Sequence, residues 1–140
     1  MADALYTAEA TSTGGGRDGH VRSADGIIDE DLRVPQSLGG PGGATNPEQL
    51  FAAGYSACFH GALRAIARER KVEIDTTTVD AAVSLEKDDD GGFKIAVVLN
   101  AHVPGLDQAA ADELVHAAHQ FCPYSKATRG NIDVQVTATV

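Results

Sequence analysis

The stretch Leu50–Ala67 constrains the fold more than any other part of the chain. Its only strongly polar residues are Ser56, His60 and Arg64. It follows Asn46-Pro47-Glu48, a helix-start signature with Asn as N-cap, Pro at the first helical position and Glu in the first turn. The helix is expected to run to about Lys71. A helix apolar on all sides is either buried or membrane-spanning, and this length nearly suits a bilayer. Two polar side chains, His60 and Arg64, sit inside it, and strand-like patterns flank it on both sides, so the reading is a centrally buried helix of a globular protein. A chain of 140 residues has difficulty enclosing such a helix by itself. An obligate dimer is therefore expected.

The remaining segments supply strands. Leu5–Thr13 reads as a strand, Gly14–Gly19 as a turn with Arg17 at its tip, and His20–Val34 as two short strands broken at Asp25-Gly26. Pro35–Pro47 is a Gly- and Pro-rich loop. Val79, Ala81, Val83 and Leu85 share one parity, and Phe93, Ile95, Val97, Leu99, Ala101 and Val103 form a second run, with an acidic turn at Asp88–Gly92 between them. That alternation predicts two half-buried antiparallel strands. Asp107–Phe121 reads as a second helix ended by Pro123, and Ile132–Val140 as a last strand. The order predicts one α+β domain over residues 1–140, with largely antiparallel sheets.

Charge excludes whole classes of partner. With 20 acidic against 11 basic residues the formal net charge is −9, so nothing favours phosphate-rich nucleic acid or an anionic membrane surface. Two cysteines are too few for a disulfide scaffold or a four-cysteine metal site. The start, Met1-Ala-Asp-Ala-Leu-Tyr6, lacks the basic and apolar runs of a secretory signal. A cytoplasmic location is expected.

Cys58 lies mid-helix in Tyr55-Ser-Ala-Cys-Phe-His60, and Cys122 closes the second helix before Pro123. Taken alone, both read first as buried structural cysteines; the place of Cys122 at a helix end against Pro123, where a side chain can reach a cavity, favours the reactive reading. His116, His119 and Cys122 are spaced three apart, which spreads them around the helix and matches no usual zinc pattern, so no metal is expected. Arg17 alone is a loop charge, and Glu48 alone a first-turn carboxylate favoured by the helix dipole.

Together these residues form long specific blocks. Gly16-Arg-Asp-Gly19, Asn46-Pro-Glu-Gln-Leu-Phe-Ala-Ala-Gly-Tyr-Ser-Ala-Cys-Phe59 and Cys122-Pro-Tyr-Ser-Lys-Ala-Thr-Arg-Gly-Asn-Ile132 resemble the organic hydroperoxide resistance (Ohr) branch of the Ohr/OsmC superfamily, over essentially the whole chain. The resemblance implies an intertwined homodimer with antiparallel sheets wrapped around long central helices. It also implies a thiol peroxidase reducing organic hydroperoxides to alcohols, with Cys58 as peroxidatic and Cys122 as resolving cysteine. Arg17 and Glu48 would be the activating pair, and dihydrolipoamide or a lipoylated protein the external reductant, with no bound cofactor.

Elementary chemistry is consistent with those roles. A free thiol with pKa about 8.5 is only a few per cent thiolate at neutral pH, and burial raises that pKa further. A nearby guanidinium opposes the burial by about 1–3 units, and a carboxylate can grip its fork. Phe51, Tyr55, Phe59 and Phe121 flank the cysteines as a candidate substrate pocket. Such a pocket would favour bulky hydroperoxides, because each buried CH₂ is worth about 0.8 kcal/mol. The alternative is a non-catalytic redox-sensing or ligand-binding module on the same scaffold.

Overall fold

A computed structural model describes residues 2–140. The chain forms two compact units, Met1–Leu50 and Phe51–Val140. In the first, β1 (Ala10–Gly14), β2 (Gly19–Ser23) and β3 (Asp29–Asp31) form an antiparallel meander. Strand β1 starts later than the expected Leu5. Leu5 and Tyr6 are exposed and form no ladder. The Gly14–Gly19 turn is tight: Gly14 and Gly16 adopt positive φ of 72°, and a Cβ on Gly19 would collide with the Thr13 carbonyl. The Asp25-Gly26 turn joins β2 to β3 as expected, with the Asp25 carboxylate accepting from the Ile27 N–H at 3.0 Å. The loop after β3 contains one 3₁₀ turn, Gln36–Leu38.

Helix α1 (Pro47–Glu69) begins where its signature predicts. The Asn46 side chain accepts from the Gln49 N–H at 2.9 Å, satisfying one orphan donor of the first turn. The helix stops before the expected Lys71, which adopts a left-handed φ of 56°.

The second unit holds the rest of α1, β4 (Thr78–Lys87), β5 (Phe93–His102), α2 (Gln108–Phe121), α3 (Pro123–Thr128) and β6 (Val134–Thr139). Parity sets its core. Val97, Leu99, Ala101 and Val103 are buried, and their β4 partners Val83, Ala81 and Val79 lie directly opposite the first three. Val134, Val136 and Ala138 of β6 flank the same three residues from the other side. Tyr55, Phe59, Leu63 and Ile66 of α1 and Ala111, Leu114, Val115 and Ala118 of α2 complete the cluster. The Asp107 side chain caps α2 by accepting from Ala110 at 2.8 Å.

Two expectations need correction. Strand β6 pairs with β5 in parallel, not antiparallel, because a helical crossover through α2 and α3 returns the chain to the same end of the sheet. Pro123 does not merely end α2. It is the first residue of α3, since its fixed φ and missing N–H suit a helix start equally well. As its length implied, this chain does not by itself bury α1 on all sides. Tyr55, Phe59, Ala62, Leu63, Ile66 and Ala67 are buried, while the small residues Ala53, Ala57 and Gly61 form an exposed stripe at four-residue spacing. Among the described residues, no helix is long and apolar enough to cross a membrane.

Candidate active site

Within the second unit, α1 and the α2–α3 junction bring the two cysteines together. Their sulfurs lie 3.7 Å apart, both as free thiols. Cys58 is half-buried and Cys122 fully buried. Cys122 is the break between two helices: it ends α2 and caps α3 in an extended conformation, φ −62° and ψ 125°. Burial pushes the Cys58 thiol above its ordinary value. A backbone hydrogen bond from Tyr124 works against that rise, and the Cys122 neighbour adds to it.

An aromatic group adjoins the pair. Phe51 meets Tyr55 edge-on with ring centroids 6.1 Å apart, and Tyr124 packs on both, at 6.1 Å from Phe51 and 5.6 Å from Tyr55. Tyr55 and Phe59 are fully buried. Phe121 stands elsewhere. Half-exposed, it lines a groove with Ile66, Arg70, Glu113, His116, Ala117 and Gln120, because a residue adjacent to Cys122 on a helix points about 100° away from it. Tyr124 joins this aromatic group, a contact that the sequence does not signal because Pro123 suits a helix end and a helix start alike.

Ser125 and Thr128 were also missed. Both are buried, on the inner face of α3. The Tyr55 hydroxyl lies 2.9 Å from Ser125 Oγ and 3.1 Å from Thr128 Oγ1. His119 Nδ1 lies 2.8 Å from the same Ser125 oxygen. His119 is thus engaged with a serine, and burial lowers its pKa, with Arg129 and His116 adding to that effect. Among the described residues no group of three or more His, Cys, Asp or Glu converges to hold a metal ion.

In the first unit, Arg17 and Glu48 form a two-pronged pair, with Nη1 donating to Oε2 at 3.0 Å and Nη2 to Oε1 at 2.7 Å. The parallel-fork geometry is the strong form of an Arg–carboxylate contact. The hydrogen bonds from Arg17 hold the Glu48 carboxyl below its ordinary range, and Glu48 in turn raises the Arg17 pKa. Glu48 is placed for this by the first turn of α1 and Arg17 by the glycine turn.

Residues 40–137 match the family model for OsmC-like protein. The organic hydroperoxide resistance protein OhrB of Bacillus subtilis is 54% identical over 134 residues, covering 95% of this chain and 97% of that protein. A namesake from Xanthomonas axonopodis pv. citri is 53% identical over 135 residues, covering 95% and 94% respectively. Among solved structures, an organic hydroperoxide resistance protein from Legionella pneumophila superposes with a TM-score of 0.94 at 50% identity, covering 99% of this chain and 100% of that one. The crystal structure of Bacillus subtilis OhrB gives 0.89 at 53% identity, covering 97% and 100%. This chain belongs to the OsmC-like family, in its organic hydroperoxide resistance branch.

Proposed function

We propose that the chain is a cysteine-based thiol peroxidase that reduces organic hydroperoxides to the corresponding alcohols. The observation that carries this reading is the pair of free sulfurs 3.7 Å apart. The Cys58 thiolate attacks the terminal peroxide oxygen and the O–O bond breaks. The departing alkoxide takes a proton and leaves as the alcohol, and Cys58 becomes a sulfenic acid. The Cys122 thiol then attacks that sulfur, water leaves, and a Cys58–Cys122 disulfide forms. A dithiol of the dihydrolipoamide class, free or on a lipoylated protein, reduces the bond and is itself oxidised to a disulfide.

Because burial raises the Cys58 pKa, attack at neutral pH needs a cation. Arg17, oriented by Glu48, is the cation proposed for that task. The aromatic residues Phe51, Tyr55, Tyr124 and Phe59 favour bulky organic substrates. A dithiol resting state suits a reducing compartment such as the cytoplasm. The exposed stripe Ala53, Ala57, Gly61 supports a homodimer in which a second copy covers α1, since small residues let helices approach closely.

The test is a steady-state assay with cumene or tert-butyl hydroperoxide, comparing dihydrolipoamide with thioredoxin as reductant. Cys58→Ser is expected to abolish turnover; full turnover in that variant would end this reading. Cys122→Ser is expected to release one equivalent of alcohol as Cys58 becomes a sulfenic acid and, with excess hydroperoxide, a second equivalent as that is oxidised to the sulfinic acid. Arg17→Ala is expected to slow the first oxidation about tenfold or more at neutral pH, and to shift the pH profile of Cys58 alkylation upward, as loss of a close cation requires.

A further inference from the structure

We propose that a one-way chain of hydroxyl groups, running from His119 through Ser125 and Tyr55 to Thr128, holds Cys122 against Cys58 and so sets how readily the pair closes. The role in turnover rests on the peroxidase reading above; the effect on closure does not.

The direction of the chain follows from counting hydrogens. The Ser125 carbonyl can only accept, and Thr128 Oγ1 lies 3.2 Å from it as donor. Thr128 has no second hydrogen, so the Tyr55 hydroxyl must donate to Thr128 at 3.1 Å. Ser125 must then donate to Tyr55 at 2.9 Å. That leaves the Ser125 oxygen to accept from His119, whose Nδ1 must carry the proton. Every hydroxyl in the series is both donor and acceptor, and the series cannot reverse without giving up the bond to the Ser125 carbonyl. Buried networks satisfied in this way favour one geometry, since breaking a link strands a polar group away from water.

The sulfurs need such a device. Helix α3 spans six residues, far too few to persist on its own. It is separated from α2 by the extended residue Cys122 and begins with Pro123. The Cys122 backbone is tied to both helices, its N–H donating to the Ala118 carbonyl at 2.8 Å and its carbonyl accepting from the Lys126 N–H at 3.0 Å, and Pro123 restricts it to extended conformations. Side-chain hydrogen bonds then seat α3 against α1. On α1, Tyr55 and Cys58 are three residues apart and share a face; on the opposing segment, Cys122 and Ser125 are likewise three apart. Tyr55 meets Ser125 where Cys58 meets Cys122, so the two contacts are successive rungs of one antiparallel register. Arg129 adds an outer tie by donating from Nη2 to the His119 carbonyl at 2.7 Å. Ser125, Thr128 and His119 are therefore positioning residues. Tyr55, expected as a substrate contact, is also a strut of α3.

The experiment equilibrates the full-length protein anaerobically with glutathione and glutathione disulfide, then counts free and bonded thiols by alkylation and mass. Glutathione disulfide is the oxidant: two protein thiols form one disulfide and two glutathione thiols are released. Ser125→Ala and Thr128→Val are each expected to lower the closure constant at least tenfold, about 30 mV for this two-electron couple. Thr128→Ser, which keeps the hydroxyl, is expected to stay within about twofold of the parent. A folded Thr128→Val protein that closes as well as the parent overturns the proposal, as does an equal loss in Thr128→Ser and Thr128→Val. The ring ¹⁵N shifts of His119 in the unsubstituted protein are a second reading that no folding defect can obscure. At neutral pH they must report the Nδ1–H tautomer, and the Nε2–H tautomer overturns the chain. Absence of peroxide turnover would sink the proposed function and leave both measurements standing.

Discussion

Cys58 and Glu48 share one helix yet were legible in different ways. Glu48 announced itself as a first-turn carboxylate after Asn46-Pro47, whereas Cys58 is indistinguishable from a core cysteine until its partner is placed. Only the fold supplied the 3.7 Å separation, because Cys122 lies 64 positions further along the chain. Charge placement also decides a residue-scale behaviour that composition conceals. His20 sits between two carboxylates, with Nδ1 2.8 Å from Asp31 and Nε2 2.5 Å from Asp29. Both ring nitrogens must donate, so the bound form is the imidazolium. Asp31 and then Asp29 raise the His20 pKa by these hydrogen bonds, and His20 lowers that of Asp31. The stabilisation from His20 is fully present below the ordinary histidine pKa and is lost as pH rises through the raised value. The contribution from Asp31 is present above the ordinary carboxylate range and is lost as pH falls through the lowered value. Hydrogen-exchange protection factors of the β2–β3 amides, corrected for the intrinsic pH dependence of exchange, should therefore be highest in mildly acidic solution and fall toward alkaline pH. His20→Gln should remove that fall; an unchanged protection profile in His20→Gln would refute the assignment.

At the scale of elements, alternation and capping were readable because they are local. The parity of Val97, Leu99 and Ala101, the cap at Asn46 and the Asp25-Gly26 turn all rest on neighbours in sequence. The parallel pairing of β6 and the existence of α3 were not readable. Strand direction depends on where a crossover deposits the chain, and Pro123 is compatible with a helix end and a helix start alike. The seat of α3 on α1 depends on Gly54. A Cβ there would lie 2.8 Å from the Tyr124 hydroxyl and 3.3 Å from its ring, and that ring is already held by Phe51 and Tyr55. Inside an open helix Gly→Ala gains about 1 kcal/mol. Here the collision is expected to cancel that gain, so Gly54→Ala should be neutral to destabilising in urea unfolding, and a gain of about 1 kcal/mol would show that Tyr124 is free to move away. In the sheet, Leu99→Ala removes a fully buried side chain and should cost about 2–5 kcal/mol, read by the same unfolding experiment.

For the whole molecule, the apolar length of α1 argued for more covering surface than one chain provides, and the exposed stripe Ala53, Ala57, Gly61 locates the uncovered side. A Cβ at Gly61 meets nothing within 4 Å inside this chain. Gly61→Arg should accordingly, if a second copy covers the stripe, abolish the sedimenting dimer and lower the unfolding midpoint with it. A dimer unchanged by that substitution would place the partner elsewhere. By itself the sequence determined the elements with local causes: the capped apolar helix, the alternating strands, the glycine turn that carries Arg17, the acidic charge, and through its long motif blocks the family. The tertiary structure alone decided which side chains meet. The sulfur pair, the Tyr55–Ser125–Thr128 contacts and the turning away of Phe121 depend on helix orientation across distant segments. That orientation is fixed by packing and hydrogen bonding between residues that no local pattern connects.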